Sequence, residues 1–585
     1  MKKISDILCK KYTAAVLLGI VICLQIVRMA VVYCSGDNYL CDEVYSYGLS
    51  NSFYMPAIEQ SSFRSDGKII NINEWKDGKM FHDYLTVQKG EQFRYDSVWY
   101  NQSLDRHPPL FYAALHTVSS FFPDVYSYWY GFALNAIYFI LAQIFLYKLM
   151  KHILKSRYLA LLVCLFWGLS GAAIDLVLFI RMYCMLVMWV IMFEYFNEKL
   201  YCSCRDKVSF KKILPVMITV TCGALTQHLF LTVAFLTVAV YCIKYLIERR
   251  FKLFWAYGFS MAGAVAAAFL IFPPAVSQLI EESSTGSIGM LRKQFIIGFR
   301  AMNSKVFGIE MRHLVIYIPS FLLILLILFV LSLPVQYLFR QNAHLKKFYA
   351  NVIAAFKDLP QNIRRIDIKQ IKIWSSVKEK VKDSSPLIVS MVICVFAVVL
   401  IVSYKISFVG NDFILRYMFA VCPLAAAALI GILYFFISKF RHRKIVMSAI
   451  LSVMCLVTFI NAFSHYQRKF DADIKELDVF FADTNCIIVE PEKEAVPVFC
   501  VLPKEMMSVN KFFLTYYDAI ENNMDKLVNI EKDRELYIIF CEETKYGYLK
   551  YIDMLEELYG KSVYQGQIQE PNCKYAVYKF ISYGK

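Results

Sequence analysis

The chain has 585 residues, of which 58% are hydrophobic, 16% aromatic and 19% charged; its formal net charge is +16 and its mean hydropathy +0.46. A soluble protein carries roughly a quarter charged residues, so this composition excludes a disordered chain, a collagen-like fibre and an ordinary soluble enzyme. The basic residues fall between apolar runs rather than along one stripe, which points to a membrane and not to nucleic acid. The 17 cysteines are scattered, with no CxxC pair and no zinc spacing, and the C-x-C of Cys202 and Cys204 reads as plain loop. Many of the others sit inside apolar runs as small hydrophobes.

A spanning helix needs about 20 mostly apolar residues. The first runs over 12–33, behind Lys2, Lys3, Lys10 and Lys11. It is too long for a signal-peptide core and no small-x-small cleavage site follows, so it reads as a retained anchor with its basic end inside. Further spans are expected at 126–148, 158–179, 181–198, 213–228, 229–247, 253–273, 313–338, 386–405, 417–438 and 445–463, making eleven. The run 213–247 is too long for one helix and is split near His228, and a tight turn is expected near Arg181.

With the N-terminus inside, the cytoplasmic loops are 148–157, 197–212, 244–252, 339–385 and 439–444, and each carries several Lys or Arg residues. That is the positive-inside pattern of a multi-pass protein, expected in the plasma membrane. The basic loop 339–385 also has helical apolar spacing, which suits either the anionic inner leaflet or a solvated loop.

Three long segments then lie outside: 34–125, a mobile Ser- and Gly-containing loop at 274–312, and the tail from 465 to 585. The tail shows strand-like stretches at 485–490, 498–502, 536–540 and 575–580, and helical patterns over 511–521 and 548–559. The expected fold class is an α-helical polytopic membrane protein of about 11 transmembrane helices (1–464) with a small C-terminal α/β extracytoplasmic domain (465–585).

The informative polar residues gather at the outer face of this topology. Asp42-Glu43 follows the first span; Asp105-Arg106-His107-Pro108-Pro109-Leu110-Phe111-Tyr112 ends the first outer loop; Arg181-Met182-Tyr183 opens the fourth span; His228 sits at the turn near 228; and Arg416-Tyr417 follows Asn411-Asp412. Such a set suits group transfer from a lipid-linked phosphate. The leaving phosphate is already a stable anion and needs cationic or hydrogen-bonding partners, which the planar fork of arginine supplies well. The acceptor hydroxyl needs a carboxylate to take its proton. The sequence offers Asp42 for that role, and Arg181, His228 and Arg416 for the phosphate.

In order and spacing these motifs resemble the GT-C superfamily of membrane glycosyltransferases. The likeness is to the family 39 branch, which holds the protein O-mannosyltransferases and the aminoarabinose-transferase-like enzymes. The Asp42-Glu43 pair, His107-Pro108-Pro109-Leu110-Phe111-Tyr112, Arg181-Met182-Tyr183, Thr226-Gln227-His228 and Arg416-Tyr417 with Pro423 carry the resemblance, which covers about 1–465. The chain departs from the family where Phe179-Ile180, rather than an acid, precedes Arg181, and where Gln227 separates Thr226 from His228.

The resemblance implies inverting transfer of a sugar from a polyprenyl-phosphate donor to a lipid, glycan or protein acceptor on the outer face. Asp42 would be the base, and Glu43 would orient the site or help hold a metal. Arg181, His228, Arg416 and Tyr417 would bind the donor phosphate. Asp105, Arg106, His107 and Tyr183 would shape the acceptor side. No cofactor is required by the sequence; Asp42 and Glu43 are the candidate ligands for Mg²⁺ or Mn²⁺ with waters. The alternative is a membrane transporter or flippase of lipid-linked or envelope substrates. A transporter should place charges or broken helices at mid-membrane and show internal repeats, whereas most span centres here lack charge and no repeat is evident.

Overall fold

The computed structural model describes residues 2–34, 41–58, 60–61, 69–70, 72–204, 209–282, 291–308, 385–405, 415–438, 442–469, 481–490, 503–528, 530, 534–541, 549–570 and 573–581. The expected span 313–338, nearly all of the basic loop 339–385, the expected strand 498–502 and Asn411-Asp412 lie outside the described residues.

In chain order the first nine helices are α1 (Lys2–Cys34), α2 (Cys41–Asn51), α3 (Lys79–Leu85), α4 (Tyr95–Leu104), α5 (Leu110–Ser120), α6 (Tyr128–Leu154), α7 (Arg157–Leu169), α8 (Gly171–Leu178) and α9 (Tyr183–Ser203). Then come α10 (Phe210–Ala224), α11 (Leu229–Ile247), α12 (Phe251–Ile271), α13 (Ala275–Glu282) and α14 (Leu291–Phe307). Helices Leu387–Lys405, Cys422–Ile437 and Arg443–Lys469 complete the apolar set. The chain divides into two compact units, one of Met1–Val31, Ala136–Leu178 and Tyr183–His465, the other of Val32–Asn135, Phe179–Met182 and Tyr466–Lys585.

The first unit is helical. Among the described residues, seven helical stretches are long and apolar enough to cross a membrane: Tyr12–Cys34, Tyr128–Leu154, Leu229–Ile247, Phe251–Ile271, Leu387–Lys405, Leu415–Ile437 and Arg443–Ala462. The split of 213–247 occurs as expected, between α10 and α11. The expected continuous helix over 158–179 is instead broken: α7 and α8 meet at a bend of 62°. Ser170 causes the break by leaving helical geometry (φ −68°, ψ 149°) and accepting the Ala173 N–H on its hydroxyl at 3.1 Å, so it caps a new helix. The segment expected to be a mobile loop, 274–312, contains α13 and α14.

Several polar groups buried within these helices find partners on neighbouring helices. Gln25 of α1 donates to the Cys164 carbonyl at 3.1 Å and accepts from Gln143 at 3.0 Å. Glu194 of α9 is fully buried and accepts from Thr237 at 2.7 Å and Ser390 at 3.2 Å. A polar group without such partners would cost several kcal/mol in a hydrocarbon setting.

The second unit joins α2–α5 to the tail. Its short strands are β1 (Gln60–Ser61), β2 (Ile69–Ile70) and β3 (Trp75–Asp77); the tail adds β4 (Asn485–Glu490), β5 (Lys511–Tyr516), β6 (Leu536–Cys541), β7 (Ser562–Glu570) and β8 (Cys573–Phe580). The main sheet has six strands in the order β3-β5-β4-β6-β8-β7, with β4 parallel to both β5 and β6 and the remaining pairs antiparallel. The strands expected at 485–490, 536–540 and 575–580 are present, as is a helix at Leu549–Tyr559. The helix expected over 511–521 is instead β5, whose run Phe512-Phe513-Leu514-Thr515 is buried. A strand flanked on both edges and covered on both faces reads as a continuous apolar run, without the alternation that marks a half-exposed one. Ile487, Val489, Phe513, Ile538, Phe540 and Leu555 form its core.

The edge strand β3 comes from the segment 34–125, far from the tail in sequence. Its register sets Trp75 opposite Phe513 and Asp77 opposite Lys511. The Trp75 indole donates to the Leu527 carbonyl at 3.2 Å, Thr515 donates to the Asn73 side chain at 2.7 Å, and the Gly78 N–H donates to the Asn510 carbonyl at 2.7 Å. At Gly78 the two backbones approach so closely that a Cβ would overlap the Val509 carbonyl. Gly78→Ala should therefore push β3 off β5 and cost about 1–3 kcal/mol of overpacking. Thermal unfolding of the variant should show the loss, and an unchanged midpoint would mean that β3 is not held there.

Candidate active site

Of the expected site residues in the second unit, Asp42, Glu43 and Arg181 meet at one turn. Residues 179–182 leave helical geometry, and the Arg181 N–H donates back to the Phe179 carbonyl at 2.8 Å, closing a γ-type turn about Ile180. Asn135 fixes the same carbonyl from its side-chain amide at 2.9 Å. This is the tight turn expected near Arg181.

Two consecutive carboxylates in the first turn of α2 hold it. Asp42 Oδ1 lies 3.3 Å from Arg181 Nη2, and Glu43 Oε1 accepts the Ile180 N–H at 3.0 Å. Carboxylates at a helix N-terminus are favoured by the positive end of its dipole. The other terminal nitrogen of Arg181, Nη1, donates to the Tyr112 hydroxyl at 3.2 Å. Arg181 and Glu43 are both buried, at 7% and 8% exposure, so this is a largely desolvated ion-pair cluster and not a surface contact.

The neighbourhood is packed to receive the turn. The Tyr47 hydroxyl of α2 accepts the Gly131 N–H at 3.0 Å and donates to the Ser127 carbonyl at 2.9 Å. A Cβ at Gly131 would overlap the Ile180 side chain, so the start of α6 lies against the turn only because residue 131 has none.

His107 and Asp105 form a second pair. His107 Nδ1 lies 2.8 Å from Asp105 Oδ2, and the Arg106 N–H also reaches the Asp105 carboxylate. Burial pushes the Asp105 carboxyl up, but His107 and the positive charge of Arg181 outweigh it and hold the group below the ordinary aspartate value. Burial raises the Tyr112 phenol well above its usual range despite Arg181 beside it, so its hydroxyl stays protonated. The Arg106 side chain is exposed.

The other expected residues belong to the helical unit. His228 is buried, and its Nε2 lies 3.0 Å from Gln278 Oε1. The Arg416 guanidinium donates to the Tyr417 hydroxyl at 2.8 Å and lies 4.8 Å from that ring's centroid. Tyr183 meets the Tyr417 ring edge-on at 6.5 Å and Phe419 at 5.8 Å. Two participants were not among the expected site residues. Tyr112 ends the His-Pro-Pro motif, so its signal was present. Gln278 lies in α13, inside a segment whose Ser and Gly content suggested a loop.

Asp42 and Glu43 are each engaged, by a guanidinium and by a backbone N–H. Among the described residues neither belongs to a group of three His, Cys, Asp or Glu side chains spaced to hold a metal ion. The donor set here therefore fits an ion-paired carboxylate better than a metal cage.

No protein-family model and no curated protein matches the chain. Solved structures similar to it include the oligosaccharyltransferase AglB from Archaeoglobus fulgidus in complex with an inhibitory peptide and a dolichol-phosphate, at 11% identity, 94% of this chain and 72% of that one, with a TM-score of 0.45. ArnT from Cupriavidus metallidurans bound to undecaprenyl phosphate is similar at 11% identity, 96% of this chain and 98% of that one, with a TM-score of 0.42. The Archaeoglobus fulgidus oligosaccharyltransferase complexed with Zn and sulfate is similar at 12% identity, 94% and 72% coverage, with a TM-score of 0.40. At identities this low the likenesses carry no residue-level correspondence.

The Asp42–Arg181 contact should appear as energetic coupling. Asp42→Asn and Arg181→Gln, alone and combined, should give stability losses that fail to add by roughly 1–3 kcal/mol, whereas agreement within about 0.5 kcal/mol would mean the pair does not interact. Asp105 generates a pH prediction. Its folded-state value lies below the unfolded one, so it adds stability above about pH 3.9 that is lost as pH falls through the folded value. The midpoint difference between wild type and Asp105→Asn should shrink over that acid range, and a pH-independent difference would contradict the depressed carboxyl.

Proposed function

We propose that the chain is an inverting membrane glycosyltransferase of the GT-C kind, moving a sugar from a polyprenyl-phosphate donor to an acceptor hydroxyl at the outer face. The observation that carries this reading is the partly exposed carboxylate of Asp42, held in a fixed direction by the buried Arg181. The acceptor oxygen forms its bond to the anomeric carbon as its proton passes to Asp42, while the bond from that carbon to the phosphate oxygen breaks and the lipid phosphate leaves as an anion. A general base contributes about 10²–10⁴-fold when positioned within hydrogen-bond reach. Positioning is what the Arg181 fork supplies, since one nitrogen takes Asp42 and the other is steadied by Tyr112.

Arg181 was expected on the donor phosphate. Its engagement with Asp42 supports a different role, orienting the base, while Glu43 secures the turn that presents it. His107 with Asp105 is assigned to the acceptor side, together with Arg106 and Tyr183. The phosphate contacts are assigned to His228, Arg416 and Tyr417, on the sequence motifs that contain them. Mg²⁺ or Mn²⁺ at Asp42 and Glu43 would have to compete with the partners both carboxylates already hold, and no step above passes through one.

Transfer from a panel of polyprenyl-phosphate sugars by the purified protein tests the reading. Asp42→Asn should lower turnover by at least about 10²-fold with donor affinity little changed. Arg416→Lys should weaken donor binding, because lysine keeps the charge and loses the two-point contact. Near-wild-type turnover in Asp42→Asn would remove it as the base, and no transfer from any donor would sink the enzyme reading.

A further inference from the structure

We propose that His152, Glu198 and Cys202 form a binding site for a zinc-class divalent cation, separate from the residues assigned to sugar transfer. His152 stands in the last turn of α6, and Glu198 and Cys202 lie one turn apart near the end of α9. Among the described residues they are the one group of three such side chains whose ligand atoms all lie within 4.8 Å of one another.

The triangle has the dimensions of a coordination shell. His152 Nε2 is 2.9 Å from Glu198 Oε1 and 3.7 Å from Cys202 Sγ, and Cys202 Sγ is 3.3 Å from Glu198 Oε1. Zinc bonds of about 2.0–2.1 Å to nitrogen and oxygen and about 2.3 Å to sulfur set tetrahedral ligand atoms roughly 3.3–3.6 Å apart. An ion therefore fits with shifts of a few tenths of an ångström. It would replace the protons that now bridge the three groups.

The carboxylate is prepared for this. Its other oxygen, Oε2, accepts from the Ser385 hydroxyl and from the Tyr241 hydroxyl, the latter at 3.3 Å. These contacts direct Oε1 towards His152 and Cys202, as outer-shell hydrogen bonds orient metal-ligating carboxylates. Glu198 is buried while His152 and Cys202 sit at the protein's edge, which leaves an ion a path to enter. Cys202 is in no disulfide. The basic loops assign these helix ends to the cytoplasmic side, where thiols stay reduced.

The donor chemistry selects the ion. One sulfur, one imidazole nitrogen and one carboxylate suit Zn²⁺ or Co²⁺ and not the all-oxygen preferences of Mg²⁺ and Ca²⁺. Three protein ligands leave the fourth position to water or an exogenous group. The ion would tie the ends of α6 and α9 to each other and, through Glu198 and Ser385, to the start of helix Leu387–Lys405.

Cobalt reports this site without reference to transfer activity, because only a thiolate ligand gives sulfur-to-cobalt charge-transfer absorption. The full-length protein in detergent, stripped of metal, should develop that band on adding one equivalent of Co²⁺ and lose it on adding Zn²⁺. Cys202→Ser should abolish the band and Cys204→Ser should keep it. His152→Ala should weaken cobalt binding by at least 10-fold, and Ser385→Ala by about 10-fold through loss of carboxylate orientation. Helical circular dichroism shows which variants remain folded. A folded wild type without the band, a band that survives in Cys202→Ser, or unchanged affinity in His152→Ala would each overturn the site and leave the trio as hydrogen-bonded helix ends.

Discussion

Two adjacent carboxylates grasping two adjacent residues is the constraint on which the candidate site depends. Asp42 takes the Arg181 side chain and Glu43 takes the Ile180 N–H. Neither contact is interchangeable with a surface ion pair, because Arg181 and Glu43 are buried. Removing one partner would strand an opposite charge out of water, which costs far more than an exposed pair ever contributes. The grip also explains why the turn is short. The γ-type closure about Ile180 and the Asn135 contact to Phe179 leave the four residues few alternative conformations. A site built this way is organised before any ligand arrives, so little binding energy has to be spent on orienting the Asp42 carboxylate.

Much of the architecture was legible because hydropathy is a long-range average. Runs of apolar residues near twenty long identified the seven described helical stretches that are long and apolar enough to cross a membrane, and the division near His228 followed from length alone. The average failed where one residue acted locally. Ser170 sits in an apolar run and changes the hydropathy hardly at all, yet its hydroxyl begins a new helix. It failed again at 511–516, where a strand buried on both faces has no alternation to distinguish it from a helix. The three-residue strand β3 lies below the length at which any periodicity exists, and only its partner β5 makes it a strand. At the site, residue types were readable and pairings were not. Asp42 suggested a base and Arg181 a phosphate ligand, each from its own chemistry, and nothing in a linear sequence joins positions so far apart. The C-x-C of Cys202 and Cys204 is silent for the opposite reason. Its spacing within the sequence is uninformative, and the significant neighbours of Cys202 are a residue one helical turn earlier and a histidine on another helix.

The helical unit shows how polar residues survive in an apolar setting. Glu194 and Gln25 are not exposed to solvent, and each finds partners on other helices. Such contacts tie helices together at specific heights, which greasy surfaces alone do not do. They also qualify the expectation that span centres lack charge: the carboxylate of Glu194 is present but is surrounded by hydroxyl donors from two other helices.

The β3–β5 pairing has a consequence for the order of events during synthesis. Trp75 and Phe513 are paired in the finished sheet but are separated by more than 400 residues of chain. At about 5–20 residues per second, the ribosome needs roughly 20–90 seconds to pass from one to the other. Throughout that interval β3 has no β5 to pair with. The segment that carries Asp42, Glu43 and β3 must therefore remain incompletely folded while every intervening helix is made. Maturation of the second unit is gated by its last-synthesised part, and a chain stopped before β5 would keep the site's residues without the sheet on which their segment is finally anchored.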